Sequence, residues 1–125
     1  MLSLLLDQHI SPEIAAQVRI KRPEIPIVSI YDWRDGDFVG IADRLILQAA
    51  SEDRVTLLTY DRKSIPPLLR ELGVAGVTHA GVVFVDNLTI ASNDFGRLIR
   101  ALTYYWSREQ SGDWTNRVAF LPAPW

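Results

Sequence analysis

Three short apolar runs in this chain each stop at an aspartate. Leu2-Ser3-Leu4-Leu5-Leu6 ends at Asp7, Val55-Thr56-Leu57-Leu58-Thr59-Tyr60 at Asp61, and Gly81-Val82-Val83-Phe84-Val85 at Asp86. An apolar run bounded by turn signals reads as a strand buried on both faces, which is what a parallel sheet requires. Helical patterns separate the runs, so the chain predicts an α/β fold with a parallel sheet and right-handed crossovers. In such sheets the carboxyl ends of the strands share one edge, and ligands bind there. The three aspartates are therefore expected to meet on that edge.

The segments between the strands fill in the rest. Ser11 is placed to cap a helix with Pro12 at its first position and Glu13 beside the positive end of its dipole. Ile14, Ala15 and Val18 give that helix its buried stripe, and Pro23 ends it. Ile27-Val28-Ser29-Ile30-Tyr31 is a further strand, followed by a loop from Asp32 to Gly40. A helix from Ile41 to Glu52 is expected to bury Ile41, Leu45 and Ala49, with Ile46 widening the face and Asp43 in the first turn. A short helix from Pro66 to Leu72 is expected to stop at Gly73. A long one from Asn93 to Gln110 carries Phe95, Leu98, Ile99, Leu102, Tyr105 and Trp106 on one side. Val118-Ala119-Phe120-Leu121 is the last strand expected, ahead of the tail Pro122 to Trp125.

Composition narrows the function. The chain has 125 residues, expected to form one domain over 1–125, and 48% of them are hydrophobic. It has no cysteine, which excludes thiolate metal sites and cysteine nucleophiles, and its two histidines are too few for a histidine-rich centre. The formal net charge of -2 does not suit a wholly basic nucleic-acid binder. No signal-peptide pattern and no membrane-length run is seen, so a cytoplasmic location without membrane contact is the expectation.

Asp43 joins the strand-end acids as a fourth candidate, because a helix beginning at that edge places its first turn there. Crowded carboxylates repel one another and are costly to bury without a cation. Oxygen-only donors suit a hard ion, Mg²⁺ or Mn²⁺, which promotes phosphodiester hydrolysis. Each acid also has a plain structural reading: Asp7 satisfying backbone N–H groups, Asp43 complementing a helix dipole, Asp61 and Asp86 forming turns.

Taken in order, four segments resemble the PIN-like proteins, specifically the small stand-alone bacterial group related to toxin nucleases. Leu4-Leu5-Leu6-Asp7-Gln8-His9-Ile10-Ser11-Pro12 is similar to that group's opening, and Ala42-Asp43-Arg44-Leu45-Ile46-Leu47 to its acidic helix start. Val55 to Asp61 is similar to its Thr-x-Asp strand, and His79 to Val85 to its fourth strand. The resemblance implies a three-layer PIN-like fold with a central, mostly parallel sheet of four or five strands flanked by helices. It implies a metal-dependent ribonuclease, a hydrolase acting on RNA, with Asp7, Asp43 and Asp61 as catalytic and Mg²⁺ or Mn²⁺ ligands. Asp86 is a further candidate metal ligand, and Arg62, Lys63 and His9 are candidates for holding substrate. Such proteins are often the toxin of a toxin-antitoxin pair, so an antitoxin protein is an implied partner.

The chain departs from the group's pattern at three acidic positions, where Gln8, Leu45 and Lys63 stand instead. A cation at Lys63 offsets charge that would attract a metal. A degenerate scaffold that binds a protein or nucleic acid without cutting it is therefore the alternative. A receiver-type phosphoacceptor domain fits less well, since no acidic pair ends the first strand. Arg97, Arg100, Tyr104 and Arg108 share a helix side that could hold RNA phosphates or simply be solvated. Trp114 and Trp125 could anchor a partner or a second copy of the chain in a homodimer, or pack on their own domain.

Overall fold

The computed structural model describes residues 1–124; Trp125, a candidate anchor, lies outside the described residues. The elements run β1 (Leu4–Leu6), α1 (Pro12–Lys21), β2 (Ile27–Ser29), a single 3₁₀ turn (Trp33–Gly36), α2 (Asp43–Asp53), β3 (Thr56–Thr59), α3 (Ile65–Val74), β4 (Val82–Phe84), α4 (Phe95–Glu109) and β5 (Val118–Phe120). The five strands form one sheet in the order β2-β1-β3-β4-β5, and every pairing is parallel. The sheet is the middle of three layers.

Strand alternation divides the core in two. Leu4, Leu6, Leu58 and Val83 face α1 and α4, where Ile14, Val18, Leu98, Leu102 and Trp106 close over them. Leu5, Leu57, Val82 and Phe84 face α2 and α3, meeting Ile46, Leu47, Ile65 and Leu72. With both faces of the central strands covered, the runs are apolar throughout rather than alternating.

The caps follow the sequence. Ser11 Oγ accepts from the Glu13 N–H at the start of α1, with Pro12 at the first position. Asp94 caps α4 by accepting from the Arg97 N–H. Each cap of this kind stabilises its helix by about 1 kcal/mol.

Several details differ from expectation. Ile41 lies ahead of α2 and Leu45 on its outer side, at 38% and 50% exposure, so the buried stripe is Ile46, Leu47, Ala49 and Ala50. Gly73 does not stop α3, which runs on to Val74 with two prolines in its first turn. Trp114 is buried in its own domain: its ring meets Tyr105 edge-on at 6.1 Å and its indole donates to the Glu109 carbonyl. The crossovers do not all share one hand. α3 covers the β3–β4 step from one face, whereas α4 covers the β4–β5 step from the other, beside α1. The broad apolar stripe of α4 finds its partners there, including the Leu2 carbonyl, which accepts from the Trp106 indole. Among the described residues, no helix is long and apolar enough to cross a membrane.

Candidate active site

The carboxyl edge of the sheet positions the acids. Asp7 follows β1 directly and is buried at 7% exposure. Its Oδ1 accepts from the Gln8 N–H at 2.7 Å, and its Oδ2 accepts from the Thr59 hydroxyl at 2.6 Å. Thr59 ends β3, the neighbouring strand, and its Oγ1 in turn accepts from the Asp61 N–H at 3.0 Å. One hydroxyl thus gives its proton to the first acid and a lone pair to the backbone of the third. Thr59 escaped the sequence reading; the signal was the two-residue step to Asp61, which keeps both residues on one side of the extended chain.

Asp43 arrives from the other direction, as the first residue of α2. Ala42 offers no side-chain cap there, so the helix N-terminus favours a negative charge nearby. Asp7, Asp43 and Asp61 line one cavity of about 200 Å³, together with Gln8, His9, Gly40, Ile41 and Ile46. Burial raises the pKa of the Asp43 carboxyl, and the charges of Asp7 and Asp61 push it further up, partly offset by His9. For Asp61, burial acts upward but is outweighed. The backbone N–H groups of Ser64 and Lys63, the Ser64 side chain and His9 hold it below the usual carboxylate range.

Gln8 braces the rim. Its Oε1 accepts from the Gly40 N–H at 3.0 Å, and its carbonyl accepts from the Tyr31 hydroxyl. The loop it holds is fixed at its far end by Asp53, which accepts from the Trp33 indole and from Arg34. Arg34 and Asp35 take left-handed backbone conformations to make that turn, at φ 50° and 58°.

The other candidates sit apart from this cavity, except His9, which is exposed on its rim. Asp86 faces a separate cavity of about 760 Å³, forms a turn by accepting from the Leu88 N–H, and pairs with Arg62 at 3.5 Å. Lys63 is exposed and lines that second cavity, not the acidic one. Arg44 is tied to Glu71. Among the described residues, no Lys or Arg side chain lines the acidic cavity. On α4, Arg97 donates to the Thr89 carbonyl and Arg108 stacks over Tyr104 at 5.6 Å, both away from the acids.

The donor set suits a hard divalent ion in kind: three carboxylates, no sulfur, and mutual repulsion that a cation would relieve. In spacing it is looser, for among the described residues no three His, Asp or Glu side chains form a group close enough to hold a metal as they stand. The chain was compared with family models, curated proteins and solved structures, and none of them matches it.

Proposed function

We propose that this chain is a metal-dependent endoribonuclease of PIN-like type, with Asp7, Asp43 and Asp61 as its metal-holding acids. The observation that supports it best is the Asp43 carboxyl, pushed up by burial and by two other acids facing the same small cavity. A cluster that penalises its own charge is costly without a cation, and a folded chain retains such strain chiefly at functional sites. Asp7 is held rigidly by Thr59 and Gln8; Asp43 stands on the first turn of α2 and supplies the adjustable ligand. Mg²⁺ or Mn²⁺, when bound there, would acidify a water and stabilise charge on the phosphodiester oxygens. Arg62 and Lys63, on the side of Asp61 away from Asp7, are positioned for an RNA backbone leaving the cavity. His9 stands at the mouth, within reach of a bound phosphate. A role as the toxin of a toxin-antitoxin pair, in the cytoplasm, belongs to the same reading.

Cleavage of a labelled RNA by purified protein with Mg²⁺ or Mn²⁺ tests this. Activity should fall at least about a hundredfold in Asp7→Asn, the scale for loss of a group essential to the transition state. Cleavage unchanged by Asp7→Asn would reject it. The loose spacing of the acids favours a second reading, a PIN-like scaffold that binds without cutting. On that reading RNA or protein binding survives Asp7→Asn and no cleavage is seen.

A further inference from the structure

The sheet has one bare stretch. Because α4 crosses on the α1 side, none of the described residues covers β5 on the side occupied by α2 and α3. Val118 and Phe120 lie on that face in register with Val82 and Phe84, yet they are 48% and 56% exposed, against 0% and 3% for their partners. The Phe84 and Phe120 rings sit 5.6 Å apart on the floor of the slot. The cavity of about 760 Å³ beside them continues into one of about 390 Å³, both touching Val118, so the slot runs the length of α3. Helices pack on sheets at a spacing near 10 Å, and this slot is the next helix position after α2 and α3.

We infer that the slot receives an amphipathic helix of a partner protein, with acidic residues on the flank that meets α3. The charge of that wall gives the sign. Lys63 lies in the turn just ahead of α3 and Arg70 lies on α3 itself, and among the described residues neither belongs to an ion pair. Both are exposed and line the two cavities in turn. Two acids also line the first cavity: Asp86 is paired with Arg62, and Asp61 accepts from the backbone N–H groups of Lys63 and Ser64. A second copy of the chain is a poorer match, because its longest exposed helical face, on α4, is basic through Arg97, Arg100 and Arg108. Gly73 leaves room for close approach: a Cβ there would meet nothing within 4 Å.

The test uses two synthetic helical peptides with the same leucine stripe, one flanked by glutamates and the other by lysines, titrated into the ¹⁵N-labelled full chain. The glutamate peptide should shift the amides of Leu69, Gly73, Val118 and Phe120 and bind at least about tenfold more tightly than the lysine peptide. The double variant Lys63→Glu/Arg70→Glu should reverse that preference, and Gly73→Trp, which fills the slot without touching the core, should abolish binding. Asp7→Asn should leave binding intact, since the slot does not depend on the nuclease reading. Equal affinity for the two peptides, no binding at millimolar peptide, or binding indifferent to Gly73→Trp would overturn the inference. So would a dimer in the analytical ultracentrifuge that Gly73→Trp converts to monomer, which would assign the slot to a second copy.

Discussion

The Thr59 hydroxyl donates to the Asp7 carboxylate at 2.6 Å across 52 residues of chain, joining the ends of the two central strands. The same oxygen accepts from the Asp61 N–H, so a single side chain sets the positions of two of the three acids. Thr59 and Asp7 are both buried, and the local dielectric makes their bond stronger than a surface one.

Thr59→Val keeps the side-chain shape and removes the hydroxyl. It leaves the Asp7 oxygen and the Asp61 N–H each without a partner. The expected loss is about 1.5–3 kcal/mol in urea denaturation, the range for a buried hydrogen bond to a charged group. Thr59→Ser should recover most of it. Equal stability of the valine variant and the wild type would show that the bond contributes little.

Asp43 and Asp53 should respond oppositely to pH. Asp43 has a raised folded pKa, so the folded state holds its proton more tightly. Its contribution is most favourable at low pH and declines as pH rises above 3.8 through the folded value. Asp43→Asn should therefore melt higher than wild type at pH 7, with the advantage vanishing in acid, as thermal unfolding from pH 3 to 8 would show.

Asp53 is the reverse case. Its hydrogen bond from Arg34, aided by the Trp33 indole and the Arg34 charge, lowers its folded pKa. That stability is present above 3.8 and is lost as pH falls through the depressed value. Asp53→Ala leaves the indole of buried Trp33 without its acceptor, at a cost of about 1–2 kcal/mol at pH 7. The deficit should shrink in acid.

Two glycines should also behave differently. Gly81 holds φ +102°, and a Cβ there would meet the Trp114 carbonyl at 2.8 Å, so Gly81→Ala should cost at least about 1–3 kcal/mol. Gly73 is helical with open space around it, and Gly73→Ala should stabilise by about 0.5–1 kcal/mol. Denaturant midpoints of the two variants would check both.

The strands were legible because each buried run ends abruptly at a polar turn residue; Leu6 to Asp7 is the clearest case. The convergence of Asp7 and Asp61 on one cavity follows from parallel pairing, and Asp43 joins them because α2 starts at the same edge. Thr59 was harder to see, since a threonine inside a strand is unremarkable until its neighbour across the sheet is known. Periodicity misplaced the buried face of α2, because Ile41 fits the repeat yet precedes the first helical turn. It misread the end of α3, because glycine at Gly73 is tolerated when the helix continues to pack through Leu72. The hand of the last crossover was out of reach for a different reason: it depends on which existing surface the stripe of α4 finds, and that is a property of the assembled sheet. The bare slot beside α3 is the direct result.

The claim on which the rest stands is that Asp7, Asp43 and Asp61 act as one site for a hard cation. Calorimetric titration of Mn²⁺ into the wild-type protein, Asp7→Asn and Asp43→Asn tests it most directly. A saturable heat in the wild type, weakened at least about tenfold in each variant, is the expected result. No heat at millimolar Mn²⁺, or the same affinity in all three proteins, would contradict it.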